Sequence, residues 1–164
     1  IKGIIMDNIV SLPKLKLGKE ENLSLNSSTP WLMSILHELS SDTSSRDSKE
    51  QDGLTFDINF NGELIREKDH SLGDIVKLLG ALSVTYITQC AQSGELMNDK
   101  LNLDVQAVFI DNILSNKYED DENMTLFIGN MEYELYFYEN SKLDLAQVLH
   151  EYIFLNKNPY PKKV

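Results

Sequence analysis

The chain of 164 residues holds one cysteine, three histidines and only 15 Lys and Arg. A single thiol, Cys90, cannot form an internal disulfide, so a reducing compartment is the expected home. A structural zinc site needs four Cys or His ligands, and His37, His70 and His150 show no paired spacing with Cys90. No metal and no cofactor is therefore expected. Basic residues are outnumbered by 26 Asp and Glu, giving a formal net charge of -11. Nucleic-acid affinity comes largely from Lys and Arg neutralising phosphates, which argues against a protein that coats a phosphate backbone on its own. No apolar run approaches the length of a membrane span. The patch at residues 1–6 is too short for the core of a signal peptide. Membrane association is not expected.

Catalytic signatures are missing as well. His37-Glu38 and His150-Glu151 both start an H-E-x-x-H pattern, but Ser41 and Phe154 stand where the second histidine belongs. Both pairs read as polar positions on amphipathic helices. There is no G-x-S-x-G elbow and no G-x-x-x-x-G-K-[ST] loop. The chain is read as non-enzymatic, with no catalytic residues and no small-molecule substrate. A hydrolase using an unrecognised carboxylate site, such as Asp57 with Asp104, is the weakest alternative.

What is present is a β framework. Hydrophobic content of 41% against 25% charge is ordinary globular material, and the length fits one domain over 1–164. Leu101, Leu103, Val105, Ala107 and Phe109 repeat every second residue, with Asn102, Asp104 and Gln106 between them. This period turns one apolar face to a core and one polar face to water. A long strand over 75–89 precedes it, and the turn between them contains Cys90 and Ser93. Leu54, Phe56, Ile58 and Phe60 alternate in the same way, and Asn61-Gly62 is read as a turn or bulge in that strand. Strands over 124–128 and 133–138 meet at Gly129-Asn130. Short strand-like pieces are expected around Leu12, Leu15, Leu17, Leu23 and Leu25.

Two helices complete the pattern. Thr29-Pro30 supplies a cap and a proline suited to the first helical position, and Trp31, Ile35 and Leu39 form a stripe with Leu32 and Leu36. Ser141-x-x-Asp144 reads as a capping box ahead of a second stripe, Leu145, Val148, Leu149, Tyr152 and Ile153. That helix must end before Pro159. Residues 40–53 read as a flexible polar loop and 111–123 as an acidic loop. The expected class is α+β: a mainly antiparallel, strongly twisted sheet, barrel- or sandwich-like, with two packed helices. Trp31, Ile35, Leu82, Val84, Val105, Phe109, Leu145 and Leu149 are expected in the core.

Three groups are candidates for contact with a partner. Glu119, Asp120, Asp121 and Glu122 form an acidic run able to meet a basic protein, although a solvated loop is the more common reading of such a run. Lys14, Lys16 and Lys19, with Lys157, Lys162 and Lys163, can touch RNA if the fold gathers them. Tyr133, Tyr136, Phe137 and Tyr138 occupy both faces of one strand, so at least one ring is expected at the surface, with packing preferred over base stacking.

Taken in order, these parts resemble the YceD family, the large ribosomal RNA subunit accumulation proteins of bacteria and plastids. The resemblance rests on Thr88-Gln89-Cys90-Ala91-Gln92-Ser93, the strand over 101–109, the acidic run 119–122, and the final helix over 143–155 followed by Pro159 and Pro161. The family carries a C-x-x-C knuckle. Here Ser93 replaces the second cysteine, leaving a degenerate knuckle of Cys90 and Ser93. The resemblance implies a part in accumulation of large-subunit ribosomal RNA, with a ribosomal protein or pre-ribosomal particle as partner and the RNA itself as a second candidate. It implies a bacterial cytoplasmic or plastid location and no reaction.

Overall fold

A computed structural model describes residues 7–40, 53–119 and 124–162. Eight strands and two α-helices follow in the order β1 (Ile9–Ser11), β2 (Glu20–Asn26), α1 (Pro30–Leu39), β3 (Asp57–Asp69), β4 (Gly73–Gln89), β5 (Leu96–Asp111), β6 (Thr125–Ile128), β7 (Met131–Tyr138), β8 (Lys142–Asp144) and α2 (Leu145–Asn156). Six strands form one sheet in the order β2-β3-β4-β5-β7-β6, and β1 pairs with β8 in a separate ribbon. All pairings are antiparallel except β5 with β7. The fold is α+β with a mainly antiparallel sheet, as the alternation requires. The sheet is open, not closed into a barrel, and ends at β2 and β6.

The main core lies between one sheet face and the two helices. Ile58, Phe60, Leu82, Val84, Val105 and Phe109 meet Leu32, Ile35, Leu36, Leu145, Val148 and Leu149 there. Each set comes from the period of its own element: every second residue in strands, and every third or fourth in helices. Trp31, expected inside, is only half-buried against this core. A second, smaller core of Ile75, Val108, Ile110, Tyr133 and Leu135 fills the opposite face at the β5-β7-β6 end.

Three local expectations are corrected. First, β3 does not turn at Asn61-Gly62 but runs straight through, with Gly62 directly opposite Gly80 of β4. The Phe60 ring lies over both glycines. A methyl group on Gly62 would sit 2.8 Å from Phe60 Cζ and against the Leu79 carbonyl; one on Gly80 would sit 2.6 Å from both Phe60 Cζ and the Asn61 carbonyl. Glycine marks close approach here, not a bend. The strand starts only at Asp57, leaving Leu54 half-buried and Phe56 exposed ahead of it.

Second, Ser141 does not cap α2. Asn140 and Ser141 both have positive φ, 53° and 60°, and form a tight turn closed by Glu139 and Lys142. The cap is Asp144, whose carboxylate accepts from Gln147 N–H. Third, residues 112–118 are not loop. Asp111 Oδ1 accepts from Ile113 N–H and opens a 3-10 segment, Asn112–Tyr118, that lays Leu114 and Tyr118 on the second core. One pairing departs from the antiparallel majority: β7 joins β5 in parallel. The chain leaves β5, passes through the 3-10 segment to the outer position β6, and turns back at Gly129-Asn130 so that β7 fills the gap.

At the far end of the β3-β4 hairpin, Arg66 clasps Asp74 and also donates to the carbonyls of Leu12, at 3.3 Å, and Leu15, at 3.0 Å. The turn before it is closed by Asp69, whose Oδ1 accepts from the Ser71 and Leu72 N–H groups. The expected loop at 40–53 lies, apart from Ser40 and Gly53, outside the described residues.

Candidate partner-binding surface

The sheet decides which candidate groups meet. Lys14, Lys16 and Lys19 lie on the link between β1 and β2, pinned to the Arg66 end of β3 by Gly18 N–H donating to the Arg66 carbonyl. Lys157 and Lys162 lie after α2, where the Pro161 carbonyl accepts from Ala91 N–H beyond the other end of β4. Val76, which is paired with Arg66, and Gln89 are separated by on the order of 40 Å of strand at about 3.3 Å per residue. The fold keeps Lys14, Lys16 and Lys19 apart from Lys157 and Lys162. Lys157 instead sets its ammonium over the Phe154 ring, 5.3 Å from the centroid. Lys163 lies outside the described residues.

Cys90 and Ser93 sit in the β4-β5 turn. Cys90 N–H donates to the Glu95 carbonyl at 2.8 Å, Gly94 N–H donates to the Cys90 carbonyl, and Gly94 takes φ +75°. Cys90 is buried and Ser93 exposed, with Ser93 Oγ accepting from Glu95 N–H at 3.3 Å. Among the described residues, no group of three or more His, Cys, Asp or Glu is arranged to hold a metal ion. A cavity of about 350 Å³ opens beside this turn, between the end of β4 and residues 157–161, with Leu39, Tyr86, Cys90 and Pro161 in its wall. Its tyrosine hydroxyl is engaged by Asp99 at 3.0 Å.

The carboxylates suggested for a hydrolase do not meet. Asp57 stands opposite Thr85 and Asp104 opposite Ala81, with β4 between their strands. The aromatic set is packed: Tyr133, Tyr136 and Tyr138 are buried and Phe137 half-buried, so the ring expected at the surface is not there. The two histidine pairs separate too. His150 of α2 reaches Glu38 of α1 at 3.1 Å and stacks on Phe154.

Of the acidic run, Glu119 is exposed at the end of the 3-10 segment, and residues 120–122 lie outside the described residues. A second acidic group, not foreseen, lies on the β6-β7 hairpin and α2. Glu132 and Glu134 are alternate residues of β7, opposite Phe127 and Thr125. Glu132, Glu134 and Glu151 are all exposed, and partial desolvation of the Glu134 carboxyl, followed by the charges of Glu132 and Glu151, raises it above the usual carboxylate range. Glu151 also pushes the buried Tyr136 phenol up, after burial itself. Among the described residues no Lys, Arg or His makes an ion pair with Glu132, Glu134 or Glu151. The spacing of Glu132 and Glu134 across buried Tyr133 was the signal in the sequence. Their meeting with Glu151 depends on the docking of α2.

These features define an acidic α+β sheet protein with carboxylates crowded at one end of its sheet. No protein-family model matches the chain, and no curated protein or solved structure is detectably similar to it. No helix among the described residues is long and apolar enough to cross a membrane.

Proposed function

We propose that this protein is a non-enzymatic factor that supports accumulation of large-subunit ribosomal RNA by binding a basic ribosomal component in the bacterial cytoplasm. The observation that carries the reading is the placement of Glu132 and Glu134 on one face of β7 near Glu151 of α2, with no ion-pair partner among the described residues, in a chain of net charge -11. Carboxylates that repel one another raise the energy of the free protein, and a cationic partner relieves that repulsion on binding. The acidic run 119–122 precedes the same hairpin in the sequence and adds to the negative charge of the chain. The resemblance of the final helix and the Cys90 turn to the YceD family supplies the ribosomal context.

Direct RNA binding through the lysine groups draws less support, because Lys14, Lys16 and Lys19 sit at one end of β4 and Lys157 and Lys162 at the other. A carboxylate hydrolase draws less still, with Asp57 and Asp104 apart. The test is a deletion strain together with affinity purification of the tagged protein, followed by mass spectrometry and RNA sequencing. The expected result is a fall in large-subunit relative to small-subunit RNA and co-purification of basic large-subunit proteins. Normal ribosome profiles in the deletion strain would overturn the assembly role. RNA recovered without protein would transfer the reading to the lysines.

A further inference from the structure

The two edges of the six-stranded sheet differ. β2 carries Glu20 and Glu21, and charge along an edge discourages pairing with another chain. β6 reads Thr125-Leu126-Phe127-Ile128, with no charge and no proline, and pairs with β7 alone. The Met124 carbonyl accepts from Leu135 N–H at 2.7 Å. Alternation along the strand then turns the N–H and C=O groups of Thr125 and Phe127 outward. Among the described residues no backbone group bonds to them. The Phe127 side chain is 67% exposed, and Met131, opposite Ile128, is 49% exposed.

The surroundings select the occupant. Thr125 and Phe127 share a sheet face with their register partners Glu134 and Glu132, and Thr125 Oγ1 donates to Glu132 Oε2 at 3.4 Å. A second copy of this chain would bring the same carboxylates together, and like charges across an interface oppose docking. An extended segment with Lys or Arg alternating with apolar residues meets every requirement. Its backbone bonds to Thr125 and Phe127, its cations reach Glu132 and Glu134 on the face they share with Phe127, and its apolar side chains lie on the opposite face beside Met131.

We infer that β6 is a docking edge, where a basic extended segment of a partner protein adds to the sheet as a seventh strand beside Thr125 and Phe127. The inference rests on the basic-partner reading above and names its contact.

The test is hydrogen exchange by NMR on the full chain, titrated with an octapeptide of alternating Lys and Val. The same peptide N-methylated at alternate residues keeps its charge but cannot pair. The Thr125 and Phe127 N–H groups should exchange fast in the free protein and slow at least tenfold with the first peptide. The N-methylated peptide should bind at least tenfold more weakly. Phe127→Pro deletes an outward N–H and leaves the β7 ladder intact, so it should weaken binding while Leu135 N–H stays protected. If that variant fails to fold, Thr125→Pro makes the same test from the neighbouring outward site. Equal binding of the two peptides would overturn the edge and leave the basic-partner reading standing. Binding of neither would overturn both. Protection of Thr125 and Phe127 by self-association alone would hand the edge to a second copy.

Discussion

Asp74 is gripped by both arms of Arg66: Nε donates to Oδ1 at 3.0 Å and Nη2 to Oδ2 at 2.6 Å. Lys68 adds a contact at 3.3 Å, and the Asp74 carbonyl accepts from the Tyr138 hydroxyl at 2.8 Å. With Nη1 on the Leu12 and Leu15 carbonyls, this one guanidinium ties the N-terminal turn, β3 and β4 together. Fork-to-fork geometry makes such a pair stronger than an ordinary surface ion pair.

A pH dependence follows. Hydrogen bonding by Arg66 holds the Asp74 carboxyl below its usual range, and the Ser71 backbone N–H does the same for Asp69. For a carboxylate depressed in the folded state, the unfolded chain binds more protons near pH 4, so stability rises with pH there. The contribution is fully present above the ordinary carboxylate pKa of about 4 and is lost as pH falls through the depressed folded values. Arg66→Ala should cost about 2–3 kcal/mol at pH 7 and flatten the acid limb of the stability curve. Denaturant unfolding at pH 7 and pH 3 checks both. A variant as acid-sensitive as the wild type would show that the pair does not set that limb.

The glycine pair predicts a different loss. Gly62→Ala or Gly80→Ala puts a methyl group where the Phe60 ring and a backbone carbonyl already lie. Overpacking of this kind costs about 1–3 kcal/mol. The double variant should be non-additive, because both methyl groups compete for the space under one ring. A cycle measured by urea unfolding tests this. Additive, sub-kcal effects would mean the strands separate freely.

Tyr152 stands in for a missing strand. β7 pairs with β5 only from Ala107 onward, and at Gln106 the Tyr152 hydroxyl both accepts from the backbone N–H and donates to the carbonyl, each at 3.1 Å. Tyr152→Phe keeps the ring and leaves both backbone groups unsatisfied on that side. A loss of about 1–3 kcal/mol is expected, with faster exchange of the Gln106 amide. Unchanged exchange at Gln106 would show that solvent replaces the hydroxyl at no cost.

What the sequence disclosed was governed by range. The alternation of 101–109, the stripe of α2 and the Gly129-Asn130 hairpin are local patterns, and each matches the structure. The passage of β3 through Gly62 depends on Gly80, in another strand, and on Phe60 closing over both. Asn61-Gly62 taken alone has the chemistry of a turn. The Ser141-to-Asp144 spacing fits a capping box, yet positive φ at Asn140 and Ser141 turns that segment into a hairpin and passes the cap to Asp144. The parallel β5-β7 pairing has no local signature. Nor does the acidic group: Glu132 and Glu134 alternate visibly along β7, but Glu151 joins them only through the docking of α2. The separation of the lysine groups likewise appears only when β4 is laid out as one continuous strand.

The functional prediction turns on acidic charge. Reversing Glu119, Asp120, Asp121 and Glu122 to lysine should weaken capture of the basic partner, mostly by slowing association, because long-range attraction steers encounter more than it holds the complex. Raised salt should mimic this in the wild type, since charges further apart than a Debye length of about 8 Å at physiological ionic strength are screened. Glu132→Gln with Glu134→Gln should add a loss that salt reproduces less completely, because Glu134 is partly desolvated beside Glu151. The same pair of changes should leave stability at pH 7 unchanged or higher by up to about 0.5 kcal/mol, since it removes repulsion from the folded state. Neutralising Lys14, Lys16 and Lys19 should matter little. Association rates for purified basic ribosomal proteins, measured across a salt series, separate these effects. If the lysine changes abolish binding while the acidic reversals are silent, contact runs through phosphate, and the acidic surface serves solubility alone.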